Sequence, residues 1–465
     1  MRLPGLGILG ATLDTLWDEA SILTERVLDR HLRVAVTGLR RSGKTVFITS
    51  AAHHLADAHD LPFLQAAHDG RYLGARLVSP ERPGAFPYAR FRDALAASPP
   101  AWPSATERLT TLRLELAYRT RSLVLSRVSP VQVLTLDIID YPGEWLLDLP
   151  LLETSYEEFS AAALALAGRP LRAEAAKPWL ERLATFAPDG PEDSAAIAEL
   201  AAAYTAYLKR CHAELGLSMV QPGRFTNPGD LAGSELLVFC PLPPGPASAG
   251  TNRARMAERF ARYRDEVVRG FYDDHFSRFD RQVVLVDLLS SLNAGPGHFA
   301  DTQDALEVIL RSFRYGETGL FGRLFAPRID RVLFAASKAD HVAANQHANL
   351  KGLLELMVAP AARAARFSGV RVEVLALAAL RSTDVVRTEH QGQILSCVRG
   401  RLRDEGRETV LFPGELPESL PEPEDWASGR FRFRDFAPRR LSTGERGQHI
   451  RLDQALEYLI GDKLA

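Results

Sequence analysis

A chain of 465 residues is too long for one compact core, and a formal charge of −2 supplies no excess that would draw it to nucleic acid or an anionic membrane. Its three cysteines, Cys211, Cys240 and Cys397, lack C-x-x-C spacing, which fits a reducing cytoplasm, argues against a zinc site and predicts small buried apolar residues. The run Leu6 to Leu9 is too short for a signal sequence and is followed by Asp14 and Asp18, and no apolar run reaches a membrane span, so a cytoplasmic protein is expected.

In chain order the first element is a strand, Leu32 to Thr37, which runs into Gly38-Leu39-Arg40-Arg41-Ser42-Gly43-Lys44-Thr45 and then a helix opening at Val46. This fits G-x-x-x-x-G-K-[ST] in the strand, loop, helix context that gives the motif meaning. Gly38 and Gly43 let the backbone curl so that N–H groups around Arg41, Ser42, Gly43, Lys44, Thr45 and Val46 surround a polyphosphate. Lys44 brings a point charge to the outer phosphates, and the Thr45 hydroxyl ligates Mg²⁺.

The run Thr111 to Tyr118 alternates strictly, as an edge strand with one wet face does, and a short link, Arg119 to Pro130, joins it to an antiparallel neighbour, Val131 to Ile139. Just before it, Thr106 is the chosen switch I threonine for capping Mg²⁺, with Thr110 and Thr111 as close competitors. The apolar strand ends in Asp140-Tyr141-Pro142-Gly143, a D-x-x-G pattern in which Asp140 holds Mg²⁺ through water and the Gly143 N–H turns to the γ-phosphate. Asp137, an acid inside a buried strand, is a rival metal holder but lacks the following glycine.

About 140 residues then separate Asp140 from the next strand, far beyond a normal crossover. From Tyr156 to about Leu217 they are rich in Ala, Leu and Glu and read as separate helices; Gln221 to Pro244 is loop-rich with one short apolar run, Leu236 to Cys240; and Arg253 to Phe279 is helical again, with Phe260, Tyr263, Val267, Val268, Phe271 and Phe276 on one buried stripe. Compact apolar runs resume at Val283 to Leu289, Val332 to Ala336 and Val372 to Leu377. The fold expected is α/β with a mostly parallel sheet: residues 1–150 and 281–400 as two parts of one nucleotide-binding domain, 151–280 as a mainly helical insertion, and 401–465 as a C-terminal extension ending in an amphipathic helix. Residues from Phe412 to Trp426 read as a linker.

Ser337-Lys338-Ala339-Asp340 comes directly after the second of these runs. In [NT]-K-x-D the Asp accepts from guanine N1 and N2, which adenine cannot match, while the Lys stem lies along the base. Here Ser replaces Asn or Thr, which shortens the tie to neighbouring loops and weakens the case for guanine; a helix cap after a strand is the competing reading. After the last run, Ala378-Ala379-Leu380 offers a backbone N–H, at Ala379, to guanine O6. His53, His54 and His341 are scattered with no metal-ligand spacing, so no metal cluster is expected.

The order P-loop, hairpin, D-x-x-G, S-K-x-D, A-A resembles a Ras-like G domain with an insertion after switch II. More closely, the P-loop, Asp140 to Trp145, Phe239 to Pro243, Leu292 to Gly295, Ser337 to His341 and His449 to Asp453 resemble the YcjX-like family of bacterial P-loop proteins almost end to end. That resemblance implies a stress-associated cytoplasmic protein binding GTP or GDP with Mg²⁺, and a membrane-protein partner at the inner membrane. Two departures bear on mechanism. Glu144 stands where a Ras-like protein has the Gln that orients water, and a carboxylate there repels the γ-phosphate unless protonated or paired, which predicts slow hydrolysis. Arg41 matches the fourth P-loop position of guanylate-binding and atlastin-type GTPases, which carries an arginine acting from within; pairing with a surface carboxylate is the alternative. An ATP-using enzyme, or a nucleotide-gated binding module with vestigial hydrolysis, remain competing functions.

Overall fold

Seven strands form one sheet: β1 (His31–Gly38), β2 (Tyr72–Leu77), β3 (Thr110–Arg119), β4 (Val131–Asp140), β5 (Arg281–Val286), β6 (Arg331–Ala336) and β7 (Arg371–Ala376). The computed structural model describes residues 30–465 except 40, 79–81, 105–107, 123–126, 128, 313–328, 368 and 391. Spatial order is β2-β3-β4-β1-β5-β6-β7. The strands from β4 to β7 run parallel, while β3 is antiparallel to both β2 and β4. Parallel strands must be covered on both faces, which is why β1 and β5 are almost continuously buried.

The Thr111 to Tyr118 run is not at the edge. β2 pairs along its outer side, from Tyr72 opposite Tyr118 to Leu77 opposite Leu114. The alternation arises because Leu112, Leu114 and Leu116 enter the core while Arg113 and Glu115 take the other face; it reports one wet face and says nothing about an unpaired side. Arg113 also pairs with Asp137, the rival acid of the buried strand. Its guanidinium donates to both oxygens of that carboxylate at 2.7 Å, and His31 Nε2 lies 2.8 Å away. Burial alone would raise Asp137, but Arg113 and His31 hold it well below the usual carboxylate range. It is a cross-strand tie.

Alternate residues of each strand feed two cores. One face packs against α1 (Lys44–Asp57) and, from the opposite end of the chain, the terminal helix Leu452–Ile460. The other face shares a continuous core with the helices following β4, namely α2 (Tyr156–Ala167), α3 (Pro170–Thr185), α4 (Ser194–Ala213) and α5 (Asn252–Arg262), and with α6 (Pro296–Ser312) and α7 (His347–Phe367). The aromatic stripe is buried there, and α5 continues as a π-helical stretch, Tyr263–Val268. The three cysteines are buried and free.

Beyond β7 the chain forms a second, three-stranded sheet of β8 (Thr383–His390), β9 (Gln393–Arg401) and β10 (Glu408–Leu411), so β9 runs through residue 400, where the sequence suggests a boundary. The chain then returns across the main sheet to its terminal helix, α8 (Leu452–Ile460), with only a short helix, Pro423–Ala427, inside the expected linker. No helix among the described residues is long and apolar enough to cross a membrane.

Candidate functional site

The loop between β1 and α1 is bent by two residues at positive φ, Arg41 (57°) and Gly43 (86°). The Phe47 N–H donates to Gly43 O at 2.9 Å, so the amides ahead of it open the helix without intrahelical partners, an arrangement suited to an anion. Ser42 is buried, and its Oγ has no hydrogen-bond partner among the described residues.

That loop walls one end of a cleft of about 530 Å³. Arg41, Ser42, Gly43, Lys44, Thr45 and Val46 line it there, while Lys338, Asp340 and Ala379 line the other end. Positions more than 290 residues apart in sequence thus meet in one cavity. Arg41 and Lys44 stand at the loop end, while at the other Lys338 is neutralised by ion pairs and Asp340 supplies a carboxylate, an arrangement suited to a molecule with an anionic tail and a donor-bearing ring.

Asp340 is buried, and Oδ2 accepts from both the Ser382 N–H (2.7 Å) and the Ser382 hydroxyl (2.6 Å), which fixes the plane of the carboxylate. No described residue bonds Oδ1. The Ala378 N–H pairs with Ile450 O at 3.1 Å, whereas the Ala379 N–H makes no hydrogen bond with any described residue. Lys338 has a left-handed backbone (φ 59°), and its ammonium lies 2.6 Å from Asp287 and 3.1 Å from Asp435. Burial would lower Lys338, but those two carboxylates more than offset it and the net shift is upward. Ser337, in the usual Asn position, reaches the neighbouring strand: its Oγ donates to Val286 O at 3.3 Å.

Several residues here had no signal in the sequence. Arg403, Asp435 and Phe436 of the C-terminal extension line the cleft, as does Trp102, together with His341 at the end of the Ser337 to His341 motif. Trp102 Nε1 donates to Phe436 O at 2.8 Å, and the His341 ring meets Phe436 edge-on at 5.1 Å. Asp287 ends the turn after β5, accepting from Ser290 N at 3.0 Å while it holds Lys338.

Four expected site residues stand outside the cleft lining: Gly38, Asp140, Gly143 and Glu144. Asp140 is buried at the end of β4, in register with Val36 of β1 and Thr110 of β3. Gly143 lies against the start of the P-loop, where a Cβ would stand 2.3 Å from Gly38 O. Glu144 does not line the cleft. Its carboxylate ends 3.6 Å from His212 Nε2 of α4, and its carbonyl is so close to Gly223 that a Cβ there would stand at 2.0 Å. The cause is the next helix, the 3₁₀ segment Gly143–Glu153, which carries Asp148 into the insertion. Asp148 accepts from Gly223 N (2.7 Å), Arg224 N (3.3 Å) and Tyr263 OH (2.6 Å). Burial pushes it up to about 6 despite those donors. Arg224 lies 3.3 Å above the Trp145 ring, closing the same contact. Arg41 is exposed and makes no ion pair with a described residue, and Thr106 lies outside the described residues.

A family model described as "YcjX-like family, DUF463" matches residues 32–464. The chain belongs to the YcjX-like family. Among its relatives, a protein named "Ras-like GTPase YcjX" from Escherichia coli (strain K12) is 41% identical over 464 residues, covering 97% of this chain and 99% of that protein. One of the same name from Shewanella oneidensis is 38% identical over 491 residues, covering 99% and 100%. The seven-stranded, mostly parallel sheet is accordingly that of a Ras-like P-loop fold, with β2 added beyond the hairpin.

Replacing Gly143 by Ala sets a methyl against a backbone carbonyl that cannot yield. Gly143→Ala is expected to lower the unfolding free energy by about 2 kcal/mol in a urea titration. Gly270→Ala, with nothing within 4 Å of the new methyl, should be neutral or slightly stabilising.

Proposed function

We propose that the cleft binds GTP and GDP and hydrolyses GTP slowly, so that the protein works as a nucleotide-controlled switch. The observation that carries this reading is the base end: a buried Asp340 oriented by Ser382, with Oδ1 unbonded, shares a cavity with an unbonded Ala379 N–H and with the P-loop lysine. Guanine presents two adjacent donors and an acceptor, the complement of that pair; adenine presents the reverse pattern.

The hard oxygen donors suited to Mg²⁺ are the Thr45 hydroxyl and the Asp140 carboxylate, both buried at the ends of α1 and β4, and this donor set fits the ion. Bound Mg²⁺ would neutralise phosphate charge. Lys44 and Arg41 supply further positive charge, and the loop amides orient the phosphates. Slow turnover is expected from Glu144, which is committed to the side of His212 and so leaves no side chain at that position to orient water. The stress-response setting and a membrane-protein partner rest on the family resemblance.

A second reading, a nucleotide-gated binding module with vestigial hydrolysis, draws support from Gly143–Glu153, which is buried against the insertion. Both readings require guanine at the base end; an ATP-using enzyme does not. Calorimetry with GTP, GDP and ATP in Mg²⁺ should show guanine nucleotides bound at least about a hundredfold more tightly than ATP. Asp340→Asn turns an acceptor into a donor, so it should exchange GTP for xanthosine triphosphate; uniform weakening with no exchange argues for ATP. In single-turnover assays Arg41→Ala should cost roughly 10³-fold or more if that guanidinium reaches the transition state, and an unchanged rate removes it from the chemistry.

A further inference from the structure

α1 ends in two histidines that the cleft does not use. His54 retains 1% exposure, and neither ring nitrogen has a hydrogen-bond partner among the described residues. A neutral imidazole carries one N–H and one bare nitrogen, so a ring with both nitrogens unbonded offers a lone pair inside the protein. Buried imidazoles normally satisfy at least one nitrogen.

From the far end of the chain, His449 meets it with ring centroids 4.9 Å apart and planes at 79°. His449 Nε2 lies 2.7 Å from the Asp60 carbonyl oxygen, which can only accept, so Nε2 carries the proton and Nδ1 holds a lone pair. Nδ1 is buried and has no hydrogen-bond partner among the described residues. An imidazole whose N–H is anchored on a backbone carbonyl, with its other nitrogen bare, has the outer-shell bond typical of a metal ligand. The Asp60 carboxylate completes the group: its Oδ2 stands 3.5 Å from His449 Nε2, one ligand atom each of His54, Asp60 and His449 lie within 4.8 Å of one another, and all three residues are buried. Asp60 is itself oriented, its Oδ2 accepting from Gly447 N (2.9 Å) and Gln448 N (3.2 Å). Asp453 borders the group, with Oδ1 4.0 Å from His449 Nδ1.

We propose that His54, Asp60 and His449 form a structural site for a divalent transition metal, with zinc the best match to two imidazoles and one carboxylate. The sequence conceals it because the two histidines are 395 positions apart and neither is near a cysteine. Ten helical residues, about 15 Å, separate His54 from Lys44, so this ion is distinct from one held with the phosphates. Its work is to clamp the C-terminal strap onto α1. That strap passes Ile450, which pairs in both directions with Ala378 (2.8 and 3.1 Å), next to Ala379 in the cleft. Metal at His449 therefore steadies the loop that lines the base end.

The test uses the full chain, stripped with a chelator, exchanged into buffer without nucleotide and titrated with Co²⁺ and then Zn²⁺. The site should take up one Co²⁺ per chain with the intense visible absorption of four-coordinate cobalt, lose it to Zn²⁺, and melt at a higher temperature with Zn²⁺ than without. His54→Ala and His449→Ala should each abolish the cobalt spectrum and the zinc-dependent rise in melting temperature. Should His449→Ala fail to fold, the wild-type titration and His54→Ala still decide the matter. A folded wild-type chain that takes up no Co²⁺, or one that keeps its uptake after His54→Ala, overturns the site.

Discussion

The structure depends on one close approach, the backbone of Gly143 lying against the carbonyl of Gly38, where even a methyl group would stand 2.3 Å from the oxygen. Because no side chain intervenes, the segment that follows β4 and the start of the P-loop are in direct backbone contact. Gly143 opens a buried 3₁₀ segment whose Asp148 holds three donors from the insertion, and whose Trp145 carries Arg224 on its face. A shift of a few tenths of an ångström at the phosphate end has no slack to dissipate into, since packed interiors transmit strain. The Gly143–Glu153 segment is therefore an internal part here, buried against the insertion.

The opposite end of the cleft is governed by the C-terminal extension. Asp435 shares Lys338 with Asp287, Phe436 lies beside His341, and the Phe436 carbonyl anchors Trp102 on the approach to the residues expected to form switch I. Ile450 pairs with Ala378, and Phe63 N and Gln65 N, just past α1, donate to Asp453 and Glu457 of α8. The extension is here a wall of the site, through Arg403, Asp435 and Phe436. Truncating it would remove contacts to α1, the base loop and the hairpin together.

Legibility in the sequence tracked the physics of each signal. Motifs that act through the backbone, such as Gly38 to Thr45, or that end a fully buried strand, such as Asp140 to Gly143 and Ser337 to Asp340, fix both residue type and spacing, so they were readable and fall where a strand meets its loop. The cleft residues contributed by the extension were not, because Arg403, Asp435 and Phe436 sit in irregular chain with no period to betray them. β2 escaped notice through Gly74 and a register shift, and the small sheet because β8 is largely exposed. Glu144 misled for a different reason: a local motif fixes its neighbours, but its side chain goes with the insertion, and no short-range pattern encodes His212 or Gly223 as its surroundings.

Hydrogen exchange measured on the GDP-bound protein and on the same protein with a non-hydrolysable GTP analogue tests the coupling most directly. Exchange should differ between the two states not only in the P-loop but through residues 143–153 and into 223–230, where Asp148 and Trp145 hold the insertion. Differences confined to the loop and the base end, with the insertion exchanging identically in both states, would contradict it.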